Sequence, residues 1–205
     1  AWIELYDSVP ISEFVNELNH YGGGLTALKK IFPSLSVSFQ QSITKLVMEA
    51  YGGTSACKQL YGFEPETIFV KGMWQNEKVS VPPEKFQSYL SISGIVSGRT
   101  KNEMDLAFTR LGWEIPSQRI AVSDDAQLDK PNPTKLISII NNMGSEQPVF
   151  FGDSRDDMEL VKNFKSETGK QMDFYCVGYQ NGINDFDYQV DTVLEFFKKM
   201  EAANG

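Results

Sequence analysis

The chain carries one histidine and two cysteines in 205 residues, and Lys+Arg (19) falls well short of Asp+Glu (27). Cys57 and Cys176 stand far apart with no paired-ligand spacing around either. A disulfide or zinc framework is therefore not expected, and reduced core thiols in a cytoplasmic compartment are. The formal net charge of -8 sets the whole-protein field against phosphate backbones and anionic lipid, so neither nucleic acid nor a membrane surface is an expected partner. No apolar run approaches the roughly 20 residues of a membrane span, and the longest have the length of buried strands. Internal repeats, low-complexity tracts and blocks of like charge are also missing. What is present is apolar material, 41% of the chain with 12% aromatic, enough for one good core and a modest second unit. Position 1 is Ala rather than Met, so a preceding segment, including a removed leader to an organelle stroma, stays open.

The apolar pattern changes character near residue 80, which predicts a helical unit over 1–80 and an α/β unit over 81–205. In the first, Phe14, Val15 and Leu18 recur at helical spacing, as do Ile43, Leu46, Val47 and Ala50. The second of these runs stops at Gly52-Gly53, and a smaller helix follows around Ala56 to Tyr61. Gly22-Gly23-Gly24 and Pro33 punctuate the unit. From Pro82-Pro83 onward, helices alternate with short apolar strands at Ile92 to Val96, Arg119 to Val122, Val149 to Phe151 and Phe174 to Val177, and a last helix begins at Val193. That rhythm predicts a parallel sheet flanked by helices, whose ligands bind beyond the carboxyl ends of the strands.

Three strand ends carry chemistry. Ser97-Gly98-Arg99-Thr100 follows the first strand, and a hydroxyl, an open backbone and a helix start there suit a phosphate as well as they suit a simple helix cap. Asp129-Lys130-Pro131-Asn132-Pro133 follows the second; two prolines stiffen the loop, and a lysine before a helix N-terminus calls for an anionic partner, Asp124 and Asp125 being nearby candidates. The third strand runs into Gly152-Asp153-Ser154-Arg155-Asp156-Asp157. Asp153 and Asp157 can face one point as a helix begins, and hard oxygen ligands there suit Mg²⁺, whereas Asp156 has the simpler role of an acid at a helix N-terminus.

Taken in order, Ile95-Val96-Ser97-Gly98, Lys130 with its Pro-x-Pro, and Gly152-Asp153 through Asp157 resemble the second, third and fourth motifs of the haloacid dehalogenase-like (HAD) hydrolase superfamily. The likeness covers roughly residues 80 to 195 and points to the phosphoglycolate-phosphatase-like branch with a helical cap. It implies a Rossmann-like α/β core and hydrolysis of a small phosphomonoester through an aspartyl-phosphate. The implied roles are Asp153 and Asp157 on Mg²⁺; Ser97, Gly98 and Arg99 on the substrate; and Lys130 on both substrate and nucleophile. The cap would choose the substrate, with His20, Tyr21, the three glycines, Trp74 and Gln75 as its candidate contacts.

One motif of that family is missing. The Asp-x-Asp that supplies nucleophile and general acid has no counterpart, and Asp7 in Leu5-Tyr6-Asp7-Ser8 lacks both the second Asp and the Gly. The strand that carries it is central in such a sheet. Without that strand two neighbouring edges are left unpaired at about 1–3 kcal/mol per buried group, against a total stability of roughly 5–15 kcal/mol. The nucleophile is therefore expected upstream of Ala1. Two other readings remain: a non-enzymatic phosphate-binding or scaffolding domain, and a metal-free dehalogenase, which an Asp153/Asp157 metal pair disfavours.

Overall fold

The computed structural model describes Ser34 and residues 36–125, 127–178 and 183–204. The segment around Phe14, His20, Tyr21 and the three glycines lies outside the described residues, as does Asp7.

The helical unit is built on α1 (Val37–Tyr61), whose N-terminus is capped by the Ser36 hydroxyl accepting the Phe39 N–H. This is two helices joined at a break: Gly53 has φ 58 and ψ -167, a conformation open essentially to glycine alone. The break also makes room, since a Cβ on Gly53 would lie 2.3 Å from the Gly72 nitrogen. A returning segment crosses there and closes the second half-helix, with the Thr54 N–H donating to the Val70 carbonyl at 2.8 Å. It passes through a 3-10 turn at Met73–Asn76 into a linker, Glu77–Val81.

The α/β unit follows as α2 (Pro83–Phe86), a 3-10 segment (Gln87–Ile92), β1 (Ile95–Val96) and α3 (Lys101–Leu111). Next come β2 (Ile120–Ala121), α4 (Thr134–Met143), β3 (Val149–Gly152) and α5 (Arg155–Thr168). The chain closes with β4 (Asp173–Val177), β5 (Tyr188–Val190) and α6 (Val193–Asn204). The expected helices end where glycine ends them: Gly112, Gly144 and Gly169 are left-handed caps to α3, α4 and α5. Three strand expectations need correction. The first strand is shorter than Ile92 to Val96 and the second shorter than Arg119 to Val122, because residues through Ile92 and through Arg119 coil into 3-10 turns, and β5, with only three residues, is too brief for its alternation to stand out.

Among the described residues all strand pairs are parallel, as the helix–strand rhythm requires, but the strands form two sheets, β1-β2 and β3-β4-β5. On one face of the second sheet Phe174 and Cys176 join Leu136 and Ile140 of α4 and Leu160, Val161 and Phe164 of α5 in the main core. On the other face Phe196 of α6 meets Phe151 and Tyr175 edge-on, with centroids at 5.2 and 4.9 Å. Burying each such large side chain contributes about 1.5–3 kcal/mol. Cys57 and Cys176 are buried and free, and burial pushes both thiols up, which keeps them protonated packing groups. Among the described residues no helix is long and apolar enough to cross a membrane.

Between the sheets lies a trough of about 1350 Å³, lined by Ile95 and Val96 of β1, Phe150 and Phe151 of β3, and by Ile139 and Phe197 from the flanking helices. Among the described residues β1 pairs only with β2, and β3 only with β4. Each therefore turns an unpaired edge toward an apolar slot.

Candidate functional site

The sequence puts Ser97, Lys130 and Asp153 after three separate strands, and the structure ties those strand ends together. The first two join through backbone: the Ser97 N–H donates to the Ala121 carbonyl at 2.9 Å, and the Ser123 N–H to the Arg99 carbonyl at 2.8 Å. The Ser97 hydroxyl oxygen accepts the Arg99 N–H at 3.2 Å, which shapes the turn and leaves the O–H to point elsewhere. A Cβ on Gly98 would meet nothing within 4 Å, so the turn faces open space.

The second and third strand ends join through one ion pair. Lys130 Nζ lies 2.7 Å from Asp157 Oδ1, with both side chains largely buried, and this bond crosses from one sheet to the other. The opposite oxygen of Asp157 accepts the Ser154 hydroxyl at 2.6 Å and the Ser154 and Asp153 N–H groups at 3.1 and 3.3 Å. Ser154 returns a cap to the Asp157 N–H, completing a capping box at the start of α5. Only glycine permits this, since a Cβ on Gly152 would lie 2.4 Å from the Asp157 Cβ.

These contacts correct one expectation. Lys130 takes Asp157 as its partner rather than Asp124 or Asp125; Asp124 binds Lys135 instead, at 2.6 Å. Asp157, expected beside Asp153 as a metal ligand, has one oxygen on Lys130 and the other on the donors of the turn at the start of α5. Asp153 differs. Its side chain is exposed at the mouth of the site and accepts no hydrogen bond from the described residues, which leaves one hard oxygen donor open. Among the described residues no group of three His, Cys, Asp or Glu side chains gathers as a complete metal cage. That fits a Mg²⁺ site of one carboxylate completed by water and substrate, and it does not fit an all-protein site.

Several supporting residues gave no signal in the sequence. Lys135, one residue into α4, reaches back to the Val122 carbonyl (2.6 Å), Asp124 (2.6 Å) and Asp129 (3.1 Å), and Ser123 donates to the other oxygen of Asp129. This frame holds the loop that delivers Lys130. Burial would lower the Lys135 ammonium's pKa, but its two carboxylate partners raise it overall, and Lys135 in turn holds the Asp124 carboxyl below its usual range. Arg99 is also engaged: its guanidinium donates to Tyr51 Oη at 2.5 Å and to Glu77 at 2.6 Å. Trp74 and Gln75 donate to the Ser55 hydroxyl at 3.3 and 3.0 Å, bracing the loop against α1.

The described residues thus form a parallel α/β unit preceded by a helical unit, with a lysine, an open aspartate and a hydroxyl turn at adjoining strand ends. Solved structures share this fold. Phosphatase Tt82 from Thermococcus thioreducens superposes with a TM-score of 0.52 at 23% identity, over 78% of this chain and 60% of that one. A Lactobacillus plantarum protein assigned as a phosphoglycolate phosphatase superposes at 0.56 and 13%, over 96% of this chain and 86% of that one. A structural-genomics target superposes at 0.57 and 17%, over 82% and 55%. The chain thus spans little more than half the length of two of these structures. No family model matches the sequence, and no curated protein does.

Proposed function

We propose that this chain is the cap and most of the core of a Mg²⁺-dependent phosphatase acting on a small phosphorylated metabolite. The observation that carries the proposal is the Lys130–Asp157 pair bridging the two sheets at 2.7 Å, next to an Asp153 with an open carboxylate. A lysine fixed at the junction of three strand ends is placed to neutralise charge shared by a nucleophile and a phosphoryl group in transfer. The Ser97 O–H and the Gly98 backbone would hydrogen-bond the phosphoryl oxygens. Asp157 positions Lys130 rather than meeting substrate. Asp153 would hold Mg²⁺, which supplies charge neutralisation at the phosphate when bound.

The nucleophile belongs in the trough between β1 and β3. An apolar parallel strand seated there, from a segment upstream of Ala1, would pair both free edges and end beside Lys130. A carboxylate at its end would attack phosphorus as the ester oxygen leaves, taking its proton from the second carboxyl group of the same Asp-x-Asp segment. Water would then hydrolyse the acyl phosphate, releasing inorganic phosphate and restoring the carboxylate. In the complete protein, Asp153→Asn lowers Mg²⁺-dependent phosphate release from p-nitrophenyl phosphate on the order of a hundred-fold or more, as expected when charge stabilisation in the transition state is lost. Turnover equal to wild type would overturn the assignment of Asp153.

A further inference from the structure

Glu77 lies in the linker between the two units and faces two arginines. Its Oε1 accepts Arg99 Nη2 at 2.6 Å and the Tyr51 O–H at 2.9 Å, and its Oε2 lies 3.5 Å from Arg110 Nη1. Four parts of the molecule meet there: α1 through Tyr51, the linker itself, the turn after β1 through Arg99, and α3 through Arg110. We propose that Arg99 is an anion-binding residue held in reserve, with Glu77 as its resting counter-ion. A phosphate group at the Ser97–Lys130 turn competes with Glu77 for the guanidinium. This rests on the phosphatase reading of the same site.

The backbone of Arg99 is fixed and its side chain is not. Its N–H is bonded to Ser97 Oγ and its carbonyl to the Ser123 N–H, so the residue cannot leave the phosphate turn. The guanidinium, about a third exposed, spends Nη1 and Nη2 on Tyr51 and Glu77, while its Nε–H makes no hydrogen bond to the described residues. A guanidinium has five N–H donors, and an anion can be met by the remainder before the Glu77 pair breaks. The exchange strands no charge. On losing Arg99, Glu77 keeps Arg110 and the Tyr51 O–H, and Arg110 is further anchored to the Trp74 carbonyl at 2.7 Å and over the Trp74 ring at 5.4 Å. Burial first, and then the hydrogen bond to Glu77, push the Tyr51 phenol up, so it stays a donor. Because Glu77 and Tyr51 belong to the linker and to α1, release of Arg99 also loosens the seat of the helical unit on the turn.

The test is calorimetric titration of inorganic phosphate into the complete protein. Glu77→Gln removes the competitor and tightens phosphate binding about three- to ten-fold, the range expected for one partly buried ion pair. Arg99→Gln weakens binding, and adding Glu77→Gln to it gives no further gain. Glu167→Gln, which removes the same charge near the far end of α5, leaves binding unchanged. If Glu77→Gln does not fold, Glu77→Asp, which keeps the charge on a shorter arm, gives a smaller gain in the same direction. Binding to Glu77→Gln that equals or falls below wild type, or a gain that persists without Arg99, overturns this proposal alone. No phosphate binding by the wild-type protein overturns both it and the phosphatase reading.

Discussion

Asp157 shows how one residue can carry both the fold and the site. Its carboxylate caps α5, bonds two N–H groups of the turn after β3, and holds Lys130 across the gap between sheets. Removing one member of a largely buried ion pair leaves the other without compensation. Asp157→Asn therefore lowers stability by about 3–5 kcal/mol, read as a shift in the urea midpoint at constant slope. An equal midpoint would mean that Lys130 finds another anion. The spacing from Asp153 to Asp157 made both carboxylates legible as a pair at a helix start. It could not say that the second one faces inward, because that depends on Lys130, which arrives from another strand end, and on the absence of a Cβ at Gly152.

At the scale of elements, the break in α1 was legible because Gly52-Gly53 interrupts a helical apolar pattern. What the break is for was not. The returning segment docks on α1 through Glu49, a fully buried carboxylate accepting the N–H groups of Glu66, Thr67 and Ile68 at 3.1, 2.9 and 2.8 Å. Burial alone would raise the pKa of this group. The three backbone donors outweigh that and hold it below its ordinary value of 4.5. A carboxylate with a depressed folded pKa contributes stability that is fully present above its unfolded value and is lost as pH falls through the folded one. The amides of residues 66–68 are thus expected to keep full hydrogen-exchange protection above pH 4.5 and to lose it progressively below, after correction for intrinsic exchange. Glu49→Gln abolishes that step, and an unchanged acid profile in this variant would show that Glu49 does not control the docking.

For the whole molecule the governing feature is the divided sheet. Among the described residues, unpaired parallel edges and an apolar trough of about 1350 Å³ stand where a central strand would fit. If a strand from an upstream segment fills the trough, residues 1–205 alone bind the hydrophobic dye ANS and unfold at lower denaturant than a protein carrying that segment. Equal dye binding and equal midpoints for the two would mean that the trough is filled by something else or stays open.

Most of the element order, the parallel pairing and the three strand-end motifs could be read from the residues alone. Each of these follows from local periodicity, turn chemistry or spacing within a few residues. Which cation meets which anion was set by the packing of the folded chain. Asp157 is given to Lys130, Asp124 to Lys135 and Glu77 to Arg99 by strands and helices brought together from distant parts of the chain. A charged side chain pairs with whatever opposite charge the fold brings within about 4 Å, and that neighbour is not written in the residues beside it.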